Sequence, residues 1–304
     1  MIVRPRPSAL GLLFTLRGSI IPLIAPRIAV VAAISAAITV VHHVRPNLLP
    51  ELSAVPLTLL GLGLSIFLGF RNSACYDRWW EARKQWGQLL TEVRNLARTM
   101  PALLPPDAEL QRRAARRLIA FAYALAARLR GQDEAAATRP WLSTEEAQRL
   151  GGRTNMPDAI LRSATAELGD CLRRDQVNAI CLVTLEAHIA GLCGVQAACE
   201  RIRATPTPFA YSLLLHRTAW LFCLLLPFAL AGATGVMAPV VSAVLAYAFF
   251  GLDALGDELE EPFALQPNTL PLNAMVRLIE IEVLEGLGET DLPPMLRPVR
   301  SVLQ

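Results

Sequence analysis

Leu62, Ile66 and Phe70 recur every fourth residue inside an uncharged run, and five carboxylates, Asp253, Asp257, Glu258, Glu260 and Glu261, crowd together much later. These two groups have residue types and spacings that could do more than pack. At about 100° per residue, the apolar trio forms a slowly drifting helical stripe roughly 12 Å long. Such a stripe can face lipid, a protein core or a water-filled path, and spacing alone favours lipid or core. The acidic group could draw in cations. It lacks the glycine-turned alternating ligands of a calcium loop, so a solvated acidic run is its plain reading.

Catalytic patterns are missing. The chain has no G-x-S-x-G, no Walker A and no H-E-x-x-H. His42-His43 falls at a predicted outer membrane edge, and His188 stands two residues from Glu186, too close in sequence to share a helix face. His216-Arg217 reads as a membrane-interface marker. The six cysteines (Cys75, Cys171, Cys181, Cys193, Cys199 and Cys223) make no C-x-x-C pair and lie in helix-like sequence, so neither a zinc ribbon nor a disulfide framework is expected. We expect no enzyme, no metal and no cofactor.

The elements that must position these residues follow from composition and apolar runs. Of 304 residues, 53% are hydrophobic and 18% charged, and the mean hydropathy is +0.39. That balance fits a membrane protein with a substantial water-exposed portion. A net charge of +3 gives no reason to expect a nucleic-acid partner. Arg4, Arg6 and Arg17 precede an apolar stretch as in a signal peptide, but Pro22, Pro26 and Arg27 interrupt it, and we expect it to be retained.

Four spans are predicted, at 19–42, 53–70, 210–231 and 236–252, the last two separated by a turn at Gly232-Ala233-Thr234-Gly235. The second span runs into the charged, aromatic-rich stretch ending at Trp86 without a turn signal, so one helix is expected to leave the membrane and continue into water. Arginine placement puts both termini and the long middle segment in the cytoplasm of a multi-pass inner-membrane protein. The middle segment is helical in pattern, with breaks expected at Pro101, Pro105-Pro106 and 131–155. A long helix over 175–203 stops at Thr205-Pro206-Thr207-Pro208, and a last one covers 271–288. No β alternation stands out. The expected fold is all-α: 1–70 for the N-terminal segment and first two spans, 71–208 for a helical cytosolic region, 209–252 for the last two spans, and 253–304 for a cytosolic tail.

Several short elements together resemble the bestrophins, specifically their bacterial branch. Arg17-Gly18-Ser19-Ile20 is similar to that family's RGSI, Leu68-Gly69-Phe70 to its LGF, and Arg78-Trp79-Trp80 to its RWW. Cys199-Glu200-Arg201-Ile202-Arg203 with Thr205-Pro206 resembles a bacterial-branch signature, and Glu261-Pro262-Phe263 resembles NPF. They occur in the family's order from residue 17 to about 263. The resemblance implies a homopentameric ion channel with four spans per subunit, embedded in membrane lipid. It also turns the apolar stripe toward a pore, implying a neck of Leu62, Ile66 and Phe70 and a cytosolic aperture at Ile180.

Two departures from the family matter. Where calcium-gated animal members place a dense acidic run after NPF, this chain has Ala264-Leu265-Gln266-Pro267-Asn268, which offers no carboxylate, so the calcium clasp is not carried over. Animal members also place an aromatic ring at the position of Ile66, where its electropositive edge can favour anions. With that ring lost and Asp253, Asp257, Glu258, Glu260 and Glu261 taken as a vestibule, the expectation tips toward small monovalent cations, Na+ or K+. The alternatives are a chloride or other anion channel and a non-conducting membrane scaffold. A secondary transporter is disfavoured, since no inverted repeat is visible.

Overall fold

The computed structural model describes residues 1–4, 8, 11, 15–50 and 52–304. Arg6, one of the arginines used for orientation, lies outside them. The described residues form helices joined by short connections, with only isolated bridges Ile2–Val302 and Val299–Val302 in place of strands. In order the helices are α1 (Ile21–Val44), α2 (Ala54–Leu103), α3 (Ala108–Arg130), α4 (Glu134–Thr138), α5 (Thr144–Leu150), α6 (Met156–Arg173), α7 (Ala179–Ala204), α8 (Phe209–Thr234), α9 (Ala238–Glu260) and α10 (Leu272–Gly286). By length and apolarity, α1, α2, α7 and the α8–α9 stretch are each able to cross a bilayer. The all-α expectation holds.

The chain divides into two compact units. One comprises residues 4–79 and 206–262, holding α1, the first half of α2, α8 and α9. Its apolar core cluster holds Ile24, Val31, Leu64, Leu68, Phe222 and Phe250, and Ser35, Arg71, Ser242 and Asp253 are buried in the same unit. Small residues let the backbones approach: Ser35 and Ser242 hydrogen-bond at 3.1 Å between α1 and α9, and a Cβ on Gly61 would come within 2.9 Å of the Phe222 ring. The Arg17-Gly18-Ser19-Ile20 element starts α1. Gly18 turns the chain at φ +73°, and Ser19 Oγ accepts the Ile21 N–H at 3.1 Å.

The other unit comprises residues 1–3, 80–205 and 263–304. The Ala-rich α3 is buried along most of its length, and α4, α6, α7 and α10 pack around it. Tyr123 on α3 donates to Glu280 on α10 at 2.5 Å and stacks on Trp141. Although α7 is apolar enough to pass for a span, its mid-helix polar groups find partners within this unit. Glu186 accepts from Thr165 and His188 pairs with Glu92 at 2.8 Å.

The α2 helix is continuous across the change from apolar to charged sequence. Its buried residues are Leu57, Gly61, Leu64, Leu68, Arg71, Cys75, Ala82, Trp86, Leu89, Glu92, Val93, Leu96 and Met100. They step mostly by threes and fours, close to a 3.5-residue repeat that keeps one stripe of the helix covered. Pro101 does not break α2 as its ring suggests. It sits in the last turn, where a lost N–H removes one terminal bond and the helix stops at Leu103. The predicted turn at 232–235 also moves: α8 reaches Thr234, and a 3-10 turn over Gly235–Met237 leads into α9.

Candidate functional site

The trio on α2 lies off its buried stripe. Leu62, Ile66 and Phe70 are 59%, 48% and 64% exposed, and Val55, Leu59 and Phe67 are exposed beside them. Large apolar side chains in such numbers on one helix cover nothing within their own unit. Ile180, in the first turn of α7, is 79% exposed, next to the N-cap Asn178 whose side chain accepts the Cys181 N–H at 2.8 Å.

The acidic group does not form an open patch. Because α9 continues to Glu260, eight residues past the predicted end of the span at Leu252, four of the five carboxylates sit on a helix. Asp253 is 1% exposed and accepts from Arg71 Nη1 at 3.1 Å, while its other oxygen pairs with His216 Nδ1 at 2.7 Å and approaches Arg27 at 3.6 Å. Arg71 Nη2 also reaches Asp257 Oδ1 at 2.5 Å and Glu260 Oε2 at 3.5 Å. The second Glu260 oxygen accepts from the Thr207 N–H at 2.9 Å and hydroxyl at 2.5 Å, and its backbone carbonyl accepts from Arg78 Nε at 2.7 Å. The Asp257 side chain is 53% exposed, and Glu261 lies at the surface with Glu258 half-buried.

Arg71 is the functional-looking residue that sequence reasoning missed. A signal was present, since 64, 68, 71 and 75 continue the spacing of the inward face, so an arginine there had to enter the core. The remaining motifs also find roles. Arg78 of the Arg-Trp-Trp element anchors the end of α9. Glu200 accepts from Arg128 at 2.7 Å and from Gln196 at 3.0 Å, and Arg203 donates to the Arg128 carbonyl, so the Cys-Glu-Arg-Ile-Arg element ties α7 to the end of α3. Buried Phe263 offers its carbonyl to Arg130 at 3.3 Å.

An all-helical protein with several bilayer-length apolar helices, and with its buried charges engaged in pairing, is built as an integral membrane protein. The chain belongs to the bacterial/fungal bestrophin family, whose family model matches residues 1–285. It is 44% identical over 301 residues to the voltage-dependent anion channel-forming protein mll4386 of Mesorhizobium japonicum, covering 99% of this chain and 96% of that one. It is 39% identical over 300 residues to the voltage-dependent anion channel-forming protein YneE of Escherichia coli K12, covering 99% and 98%. A crystal structure of a variant of a bacterial bestrophin homologue from Klebsiella pneumoniae matches with a TM-score of 0.84 at 38% identity, covering 88% of this chain and 99% of that one. Family and relatives make this an ion-channel protein rather than an enzyme.

Proposed function

We propose that the chain assembles as a homopentamer in a bacterial inner membrane, both termini cytoplasmic, and passes small monovalent ions through a neck of Leu62, Ile66 and Phe70. Ile180 forms a second narrowing on the cytosolic side. The observation that carries this reading is the exposure of the α2 trio in a channel family: three large apolar side chains at one spacing stand about half or more open. Rings of such residues strip water from a passing ion and can gate by dewetting.

The neck itself carries no charge, so the permeant sign rests on what surrounds it. The printed names of the relatives favour anions, and the electropositive ring edge of Phe70 supplies one suitable contact. A cation preference draws on the exposed Glu261 and the half-buried Glu258. It loses the support expected from Asp253, Asp257 and Glu260, which Arg71 pairs with. Anion passage is therefore the leading reading.

Reversal potentials of the purified protein across a bilayer with asymmetric NaCl test the sign. A value near the chloride equilibrium supports anion passage, a value near sodium's reverses it, and absence of flux in sealed liposomes supports the scaffold reading. Leu62→Ala, Ile66→Ala and Phe70→Ala should each raise conductance, whereas unchanged currents would mark the stripe as lipid-facing. Mass measurement in detergent checks the pentamer.

A further inference from the structure

We infer that Arg71 is a positioning residue for the neck: paired with Asp253, Asp257 and Glu260, it locks the rotation of α2 and so fixes where Phe70 points. This inference rests on the neck reading above.

Arg71 and Phe70 are consecutive on one helix and therefore point about 100° apart. Phe70 is exposed, whereas Arg71 is 1% exposed on the inward stripe, where every neighbour at the same spacing nearby is apolar or small. Its guanidinium takes acceptors along two turns of α9: the Asp253 backbone carbonyl at 3.2 Å and side chain at 3.1 Å, Asp257 at 2.5 Å, and Glu260 at 3.5 Å. The planar fork makes this grip directional, which a lysine's rotating ammonium cannot reproduce.

The α9 backbone comes close at the same point. A Cβ on Gly256 would stand 3.2 Å from the Arg71 guanidinium carbon and 2.8 Å from Asn72 Oδ1. The other ends of the acceptors are held too, Asp253 by His216 on α8 and Arg27 on α1, and Glu260 by Thr207 just before α8. Rotating α2 would strip the 1%-exposed Arg71 side chain of its partners, so the angle is defended by the cost of an unpaired buried charge. The neck is sensitive to that angle. A turn of about 20° moves a ring some 6 Å from the helix axis by about 2 Å, comparable to the size of a water molecule.

The same network explains why this arginine does not act as a ring of positive charge beside the neck. Three arginines (Arg27, Arg71 and Arg78) are interleaved with Asp253, Asp257 and Glu260, leaving the knot close to neutral. Its contribution to permeation is geometric.

The test compares single-channel conductance for the parent, Phe70→Ala, Arg71→Lys and the Arg71→Lys/Phe70→Ala double variant. If Arg71 aims Phe70, removing the ring changes conductance strongly in the parent and at least about twofold less in the Arg71→Lys background, the low end of coupling between neighbouring residues. Asp257→Asn, at a partner whose side chain is 53% exposed, should weaken the Phe70→Ala effect in the same direction by less. A full-sized Phe70→Ala effect in both backgrounds overturns the lock while leaving the neck in place. If Phe70→Ala does nothing in the parent, the neck reading itself fails, and the lock with it.

Discussion

The two units of this protein begin their helices in different ways. In the unit built around α3, Asp107, Asp133, Ser143, Asn155 and Asn178 each turn a side-chain oxygen onto the backbone N–H groups of a helix start, and α10 alone among that unit's described helices from α3 onward begins without one, at Pro271. In the unit that holds α1, the start of α2, α8 and α9, the residues before α1, α8 and α9 are Ile20, Pro208 and Met237, and none offers a capping side chain, while Ser53 before α2 accepts the Val55 N–H at 3.4 Å. Proline at the first or second position of α1 and α9 removes a donor that would otherwise need satisfying. Long apolar helices that end among lipid headgroups and water can leave these donors to their surroundings. Helices packed in a folded region gain from closing their own ends. One unit thus caps five of its helix starts, and the other gathers its buried charges around Arg71.

That contrast orders the expected effects of substitution. Arg71→Leu should be the most damaging, because it leaves the buried Asp253 without its main partner. A loss of roughly 3–5 kcal/mol is the usual scale for breaking a buried pair, seen as a markedly lower melting temperature in detergent. If the loss is no larger than that of a single cap, the knot is not where that unit concentrates its polar stabilisation.

Asp107→Ala removes the acceptor for the Glu109 and Leu110 N–H groups, at 2.9 and 3.2 Å, and should cost about 1 kcal/mol. Met237→Ala, at the uncapped start of α9, should stay within about 0.5 kcal/mol. Equal losses for the two would erase the contrast between the units. Ser35→Ala breaks the buried hydroxyl pair with Ser242 and should cost about 0.6 kcal/mol, the average for hydrogen bonds between membrane helices.

The last expectation concerns Tyr123 and leaves stability at neutral pH untouched. Burial, and then its hydrogen bond to Glu280, push the phenol up to about 12 from 10.0. The native state therefore holds this proton more tightly than the unfolded chain. The stability it contributes is complete below pH about 10 and is lost as pH rises toward 12. Ultraviolet titration should show one late phenolate transition that Tyr123→Phe removes; a transition near 10 for every tyrosine would deny the burial.

Much of this was legible in the residues. Strongly apolar runs near bilayer length located α1, α2, α8 and α9, because sustained apolarity needs no tertiary information. Motif order brought the family into view. The end of α9 was not legible: hydropathy stops at Leu252, but the helix carries Asp253, Asp257 and Glu260 onward because α2 presents an arginine to hold them. Read as a list, those carboxylates looked like a vestibule, since composition records charge but not its partner. Pro101 misled for a related reason, because a proline's effect depends on which turn of the helix receives it.

The sequence by itself determined a helical membrane protein of the bestrophin family, since apolar run length, helical spacing and the order of motifs are properties of the chain alone. Only the tertiary structure decided which face of α2 is covered, and so left Leu62, Ile66 and Phe70 outward while drawing Arg71 in. It also decided that Asp253 and Glu260 answer an arginine rather than the solvent. The reason is physical: a helix fixes the angles between its side chains, but only packing against α1, α8 and α9 fixes the angle of the helix.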